Sequence, residues 1–509
     1  MSTMEYLING FATAFTWYNL LFAFVGVFLG TAVGVLPGIG PMSGVALLIP
    51  VTATLTQGLG LNAEAAATSS IILLAGVYYG AMYGGSTTSI LLNTPGESSS
   101  VVTALDGYQM AKQGRAGSAL SISAMGSFFA GIVTLLGLVL VAEPLSELAL
   151  RFGYAEYFSL MLLGLCAVSG LAGKSMTKAL MMTVFGLLLS TIGVDQSGTF
   201  RFTMGSPILA DGIQFLTLAV GLFAVGEVFK TVLEQATEDI QLAKINNLYP
   251  SKEEFKASTG PIVRGSFLGF FIGILPGAGA TLASFFSYIM EKKVSKHPEK
   301  FGKGAIEGVA GPESANNAAA GGAMIPLLTL GIPGSGTTAI LMGALIMYNV
   351  QPGPLLFAEH PQVAWGLIAS MFIGNVILLV LNMPLVRIFA KIISTPAKYL
   401  LPIIIAISVF GVFSVQNSIF DLWVLFTAGI ISYFLVKNDF PLAPVLLGLV
   451  LGPMMENNMR NALVRSSGDW MTFVERPLSC VLLVISAAWV LVPLLLKLRG
   501  KQVLVNEEG

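Results

Sequence analysis

The chain has 509 residues, of which 55% are hydrophobic and only 10% charged, and its mean hydropathy is +0.81. Soluble domains carry about 25% charged residues, so this composition excludes a water-exposed globule and specifies an integral membrane protein. A net charge of −1 argues against nucleic-acid binding. Apolar runs of about 20 residues, in place of alternating ten-residue strands, favour helices over a barrel.

Met1 to Thr16 form a short lead without Lys or Arg. It lacks the basic n-region of a cleaved signal peptide, so the first helix is expected to be retained. Residues 17–50 are apolar but break at Pro37-Gly38-Ile39-Gly40-Pro41, and 51–64 read as a polar, nearly uncharged loop. A run rich in Ser, Gly and Tyr, 66–92, ends in Asn93-Thr94-Pro95-Gly96-Glu97-Ser98-Ser99-Ser100. An amphipathic piece with Asp106, Lys112 and Arg115 follows, then plain spans near 118–142, 154–172, 175–194 and 213–230. The charged stretch 231–260 reads as a linker.

A second unit begins at Ile262. Its segment 262–290 breaks at Pro276-Gly277, and a loop with Lys292, Lys293, Lys296, Lys300 and Lys303 follows. The small-residue tract Gly311-Pro312-Glu313-Ser314-Ala315-Asn316-Asn317 leads into a run ending at Gly331-Ile332-Pro333-Gly334-Ser335-Gly336-Thr337-Thr338. Spans near 363–384, 399–419, 420–437 and 440–455 match the four plain spans of the first unit, and a span at 477–497 closes the chain. Cys166 and Cys480 lie in apolar runs and read as small core residues, not as a disulfide or metal pair.

The two units are copies. An offset of 239 residues carries Gly26, Gly30, Gly34 and Leu36-Pro37-Gly38-Ile39-Gly40 onto Gly265, Gly269, Gly273 and Leu275-Pro276-Gly277-Ala278-Gly279. An offset of 238 carries Thr94–Ser100 onto Ile332–Thr338. Each unit thus holds a Pro-Gly-x-Gly break and then a Pro-Gly-hydroxyl break.

Basic loops mark the cytoplasmic side. The clearest are 292–303, the linker region 230–264, the loop with Arg387, Lys391 and Lys398, and the tail with Lys497, Arg499 and Lys501. Equivalent loops differ between the units: 291–304 is basic and 51–64 has no Lys or Arg, whereas Lys112 and Arg115 have no basic counterpart in 349–362. That alternation is what an inverted-topology repeat predicts. Basic residues at both ends of 262–290 suggest a re-entrant hairpin with its tip at Pro276, Gly277 and Gly279, matched by Pro37, Gly38 and Gly40; a single kinked span is the other reading. The hydroxyl breaks then interrupt helices that cross.

Pro and Gly at a break end one half-helix and start another. Exposed backbone costs several kcal/mol per group in the bilayer, so it persists only where it is buried in protein or lines a cavity. New helix N-termini suit a carboxylate, and unwound carbonyls and hydroxyls suit Na⁺. The candidate residues for substrate or coupling cation are therefore Asn93, Thr94, Pro95, Gly96, Ser98, Ser99 and Ser100, with Asn316, Asn317, Pro333, Gly334, Ser335, Gly336, Thr337 and Thr338.

Plainer roles stand beside these. Glycines spaced by four allow close helix packing. Asn316 and Asn317 either cap a following helix or meet a ligand. Glu97 is either a cation or proton site or a solvated loop carboxylate. Tyr78, Tyr79 and Tyr83 form an interfacial or packing cluster, or meet substrate. His297 and His360 each precede a Pro in a loop and do not suggest a proton relay or metal ligand. No HExxH, nucleophile elbow or Walker motif is present, which excludes an ATP-driven pump and gives no support to an enzyme. A channel and a carrier remain open at this stage.

The set Gly34-Val-Leu-Pro-Gly-Ile-Gly40, Tyr83-Gly-Gly-Ser-Thr-Thr-Ser89, Asn93-Thr-Pro-Gly-Glu97, Gly311–Asn317 and Leu330-Gly-Ile-Pro-Gly-Ser335 resembles the large membrane subunit of the tripartite tricarboxylate transporters, the TctA family. The resemblance implies a bacterial inner-membrane secondary carrier that works with a small four-helix membrane subunit and a periplasmic solute-binding protein. It implies import of citrate-like carboxylates by Na⁺ or H⁺ symport, without a cofactor, and by analogy an elevator-type motion. The expectation is an all-α membrane protein of about 11–12 membrane segments in two inverted repeats, each with a re-entrant hairpin and a discontinuous helix. Residues 1–230 form the first repeat with its lead, 231–261 the cytoplasmic linker, 262–455 the second repeat, and 456–509 the C-terminal loop, last helix and basic tail. An anion channel, or an exporter without a binding protein, is the alternative.

Overall fold

The computed structural model describes residues 3–36, 39–149, 152–171, 175–195, 197–234, 245, 248–275, 279–353, 355–393 and 397–498. The chain is built of helices. In the first unit these are α1 (Thr3–Ala14), α2 (Trp17–Gly34), α3 (Pro41–Gly58), α4 (Ala63–Leu92), α5 (Val101–Lys112), α6 (Ala116–Ala149), α7 (Tyr154–Leu171) and α8 (Met176–Ser190). A two-residue strand pair, β1 (Gly193–Val194) and β2 (Phe200–Arg201), precedes α9 (Phe215–Ala219) and α10 (Gly226–Leu233), which a π-helical turn joins. The second unit contains α11 (Lys252–Ile274), α12 (Gly279–Val294), α13 (Glu307–Gly322), α14 (Met324–Leu330), α15 (Gly336–Met347), α16 (Leu356–Glu359), α17 (Pro361–Asn382), α18 (Val386–Ile393), α19 (Ala397–Gln416), α20 (Ile419–Lys437) and α21 (Ala443–Arg465). α22 (Thr472–Glu475) and α23 (Pro477–Leu498) close the fold.

Eight helices among the described residues are long and apolar enough to cross a membrane, and shorter apolar helices accompany them at 154–167, 176–190, 336–347 and 477–492. The all-α membrane architecture read from composition therefore holds. Some boundaries move. Residues 51–58, expected in a loop, continue α3, because only Gly60 takes the positive φ that ends the turn. The tract 311–317, expected to precede a helix, lies inside α13, which starts at Glu307.

The glycine ladders set the closest helix contacts. A methyl added to Gly26, Gly30 or Gly34 of α2 would come within 2.2, 2.3 and 2.3 Å of the carbonyl oxygens of Leu73, Val77 and Ala81 on α4. One added to Gly265, Gly269 or Gly273 of α11 would come within 2.4, 2.1 and 2.5 Å of those of Gly311, Ala315 and Ala319 on α13. The partner carbonyls are themselves 238 residues apart, so the packing repeats along with the sequence. In both units these glycines are where backbone meets backbone.

Both hydroxyl breaks also recur. α4 ends at Asn93 with φ 59° and α14 at Gly331 with φ 69°, the left-handed C-terminal conformation that favours Asn and Gly. The next helical turns begin from Glu97 (φ −150°) and Ser335 (φ −153°), both extended. Ser335 forms a capping box: its N–H donates to Thr338 Oγ1 at 2.8 Å, and its Oγ accepts the Thr338 N–H at 3.3 Å.

The segments around Lys112–Arg115, Glu254 and Lys303 meet one another. Arg115 pairs with Glu254 at 2.7 Å, Gln113 donates to the Lys303 carbonyl at 2.8 Å, and Arg115 donates to the Gly304 carbonyl at 3.1 Å. Buried Asp106 fixes this junction, its Oδ1 accepting the N–H groups of Gly302, Gly304 and Ala305 at 2.9, 2.8 and 2.8 Å and its Oδ2 the Tyr288 hydroxyl at 2.9 Å. Ion pairs Arg201–Glu456, Arg460–Asp195 and Arg476–Glu156 tie the loops where α6, α8 and α21 finish. Asp106→Ala leaves three N–H groups without their acceptor, each such loss costing about 1–3 kcal/mol. We expect this variant to lower the melting temperature in detergent by several degrees; a thermal-shift assay showing wild-type stability would remove Asp106 as the anchor.

Candidate functional site

The first hydroxyl break rests on the end of the first ladder. A methyl on Gly96 would lie 2.5 Å from the Gly34 carbonyl and 2.6 Å from Gly85 Cα. Asn93 and Thr94 are exposed, and Pro95 is half-buried. Ser99 donates to Glu97 Oε1 at 2.6 Å, and Ser100 accepts from Ser89 at 2.9 Å while donating to the Glu97 carbonyl at 3.0 Å. Ser99 and Ser100 thus hold the break together. Ser98 is exposed and faces outward, its Oγ 2.9 Å from Thr281 Oγ1 on α12.

The second break is more enclosed. Pro333, Gly334, Thr337 and Thr338 are buried, with Ser335 and Gly336 half-buried. Gly334 packs on Ala323, and a methyl on Gly336 would lie 2.5 Å from Met42 Sδ on α3. Positions 98 and 336 are equivalent in the repeat, and so are 281 and 42. The Ser98–Thr281 and Gly336–Met42 contacts are therefore one contact made twice: the helix that follows each Pro-Gly-x-Gly break, α12 or α3, lies on the other unit's hydroxyl break. Gly40 is the extended N-cap of α3, and Gly279 opens α12 with φ 67°. Pro37, Gly38, Pro276 and Gly277 lie outside the described residues. α11 and α12 run side by side, joined by Arg264 donating to Glu291 at 2.9 and 2.5 Å.

Asn316 and Asn317 cap no helix; both lie within α13 and are fully buried. Asn317 Nδ2 donates to Ser127 Oγ at 2.7 Å and Asn316 Oδ1 at 2.6 Å, while Asn316 Nδ2 and Asn317 Oδ1 lack protein partners. The three tyrosines are all buried: Tyr83 donates to Asn375 at 3.0 Å, Tyr78 meets Ser335, and the Tyr79 hydroxyl has no partner among the described residues. Glu97 is a half-buried helix-start residue braced by Ser99, not a solvated loop carboxylate.

Sequence reasoning missed Glu313 as a candidate. It is wholly buried on α13, and its carboxylate accepts hydroxyls of Ser86 (α4), Thr103 (α5) and Ser123 (α6), the last at 3.1 Å. Hydrogen bonds to a charged group contribute about 1.5–3 kcal/mol each, so three of them offset much of the several-kcal/mol penalty of burying the ion. A signal was present: an ionisable residue within an apolar helical tract of a membrane protein is by default functional.

Among the described residues no group of three or more His, Cys, Asp and Glu side chains is placed to hold a metal. Helices of this length, paired breaks and a buried polar core define a multi-pass α-helical membrane protein. The chain belongs to the tripartite tricarboxylate transporter TctA family, whose model matches residues 20–447. It is 48% identical over 511 residues, spanning 100% of both chains, to an "uncharacterized 52.8 kDa protein in TAR-I ttuC' 3'region" of Agrobacterium vitis. It is also 45% identical over 242 residues, 47% of this chain and 100% of the relative, to an "uncharacterized protein in TAR-II ttuC' 3'region" of the same organism. No solved structure matches.

Proposed function

We propose that the chain is the large membrane subunit of a binding-protein-dependent secondary carrier of the bacterial inner membrane. It imports tricarboxylates or related carboxylates by Na⁺ or H⁺ symport, together with a small four-helix membrane subunit and a periplasmic solute-binding protein. Family membership carries the transport assignment. The observation that carries the mechanism is the doubled contact, Ser98–Thr281 and Gly336–Met42, in which the helix after each Pro-Gly-x-Gly break lies on the other unit's hydroxyl break. Such an exchange is the mark of a two-fold relation between units. Ser70, early in α4, pairs with Tyr348, just after α15, and Asp106, late in α5, holds the loop before α13. Those head-to-tail pairings support units of opposite direction, 1–230 and 262–455, flanking the cytoplasmic linker 231–261. The Arg264–Glu291 tie supports α11–α12 as a hairpin entering and leaving on the cytoplasmic side.

In this reading the substrate lies between the breaks. The N-terminus of α15, opened by Ser335, Gly336 and Thr337, offers N–H groups and a positive dipole end to a carboxylate without an intramembrane Arg or Lys. Asn93 to Gly96 and Ser98 complete the site from the first break, and an elevator motion of the paired breaks exposes it to either side.

Uptake of labelled citrate into proteoliposomes holding all three components, with and without a Na⁺ gradient, tests the assignment; counterflow of labelled against unlabelled citrate separates a carrier from a channel. Pro333→Ala with Gly334→Ala is expected to abolish uptake while membrane insertion persists, because it frees the fixed proline turn and puts a methyl 2.7 Å from Ala323 Cβ at the break. Full uptake by that variant would remove the second break from the site.

A further inference from the structure

Glu313 has no counterpart in the first unit. The equivalent position is Ala75, buried and apolar. A group required only by the repeated architecture would recur there. Instead a single carboxylate sits among three helices of the first unit, and the described side chains that hydrogen-bond it, Ser86, Thr103 and Ser123, are all neutral. Each hydroxyl donates to a carboxylate or accepts from a carboxylic acid by turning its O–H bond. Both protonation states of Glu313 are therefore satisfied without moving a helix.

The place also matters. Ser86 touches Glu313, and the adjacent Gly85 carries the Glu97 side chain on it, with Glu97 Cγ 2.9 Å from where a Gly85 methyl would be. Glu97 starts the helical turn of the first hydroxyl break. Glu313 is thus separated from the proposed substrate site by adjacent residues of one helix. Its other titratable and charged surroundings are Tyr83 on α4, the Asp106–Tyr288 pair between α5 and α12, and the Arg264–Glu291 pair between α11 and α12. The faces of α6 and α17 offer Ser123, Ser127 and Asn375.

We propose that Glu313 carries the coupling proton of this transporter. This rests on the carrier reading above. Taking up a proton forms an O–H bond on one carboxylate oxygen and removes one negative charge beside the break; the bond breaks again when the site faces the other side. Nothing is oxidised or reduced, and one proton enters with each turnover at this residue. Removing a negative charge beside the site favours an anionic substrate, and by linkage the bound substrate favours the protonated acid, which is the requirement for symport. A Na⁺ ion is less well served, because α4 and α13 are helical on either side of Glu313 and their carbonyls are committed to helix bonds, whereas membrane Na⁺ sites draw on unwound carbonyls.

Glu313→Gln is the first test, with labelled citrate and the cognate binding protein. The expected result is loss of pH-gradient-driven accumulation by about tenfold or more, while citrate exchange at equal pH stays near the wild-type rate. Wild-type pH-driven accumulation by the variant overturns the proposal, as does wild-type accumulation that follows a Na⁺ gradient and ignores pH. The second test needs no substrate: infrared spectroscopy of the full chain in detergent across a pH series. Wild type is expected to show a carboxylic-acid carbonyl band that titrates and that Glu313→Gln lacks; Glu313→Asp, which keeps the acid, shifts the band and serves if the glutamine variant does not fold. A titrating band identical in wild type and in the variants overturns the proposal. If wild type neither accumulates nor exchanges citrate, the citrate assignment fails while the spectra still decide Glu313.

Discussion

Gly269→Val is expected to leave no monodisperse protein after detergent extraction. The methyl that alanine alone would add at this position lies 2.1 Å from the Ala315 carbonyl oxygen, and neither α11 nor α13 has a side chain there to move aside. Overpacking in a fitted interior costs about 1–3 kcal/mol even where side chains adjust. Here the clash is with backbone, and the next rungs, Gly265 against Gly311 and Gly273 against Ala319, hold the helices at the same separation. Moving α11 away would open all three contacts and pull at the Arg264–Glu291 pair. Gly269→Ala should give an intermediate loss of stability, and Gly30→Val the equivalent failure in the first unit. Gly58→Ala is the control, because nothing lies within 4 Å of a methyl there. Fluorescence-detected size exclusion and thermal-shift measurements on the four variants make the comparison. A Gly269→Val protein with the wild-type elution profile and melting temperature would mean that the ladders do not set the helix spacing.

The features legible in the sequence are those that the backbone itself demands. A Pro-Gly pair stops a helix wherever it stands, Gly331 or Asn93 is chosen because the chain must turn left-handed, and a glycine every fourth residue is required for two backbones to touch. These rules are local, so both copies of each motif could be found by an offset. The polar interior was not legible for the opposite reason. Glu313 is held by Ser86, Thr103 and Ser123, at separations of 227, 210 and 190 residues, and no local pattern encodes such a meeting. Asp106 is a parallel case: its amphipathic stretch gives no sign of what it meets, yet it is buried where the N–H groups of Gly302, Gly304 and Ala305 converge on it. Asn316 and Asn317 stand out by residue type, but a capping role does not hold, because α13 begins nine residues before Asn316, at Glu307.

The hydroxyl pair Ser98–Thr281 offers the most direct hold on the transport cycle. In a cysteine-free background, with Cys166 and Cys480 replaced by serine, Ser98→Cys with Thr281→Cys places two thiols where oxygen atoms now lie 2.9 Å apart. A disulfide needs Cβ atoms about 3.5–4.5 Å apart, within reach of two side chains already in contact. Oxidation is therefore expected to link α12 to the first hydroxyl break. If α12 must leave the break for substrate to enter or depart, the linked protein takes up no citrate above background. Reduction with dithiothreitol restores uptake, and each single-cysteine variant is indifferent to the oxidant. Mass spectrometry of the linked peptide establishes that the bond has formed. The sister pair, Met42→Cys with Gly336→Cys, repeats the experiment on the other unit. A carrier that works by parting each helix from the opposite break is arrested by either link alone, since either one fixes half of the cycle. A linked Ser98→Cys/Thr281→Cys protein that transports at the wild-type rate would show that this contact stays closed throughout turnover, and the gate would have to be sought elsewhere.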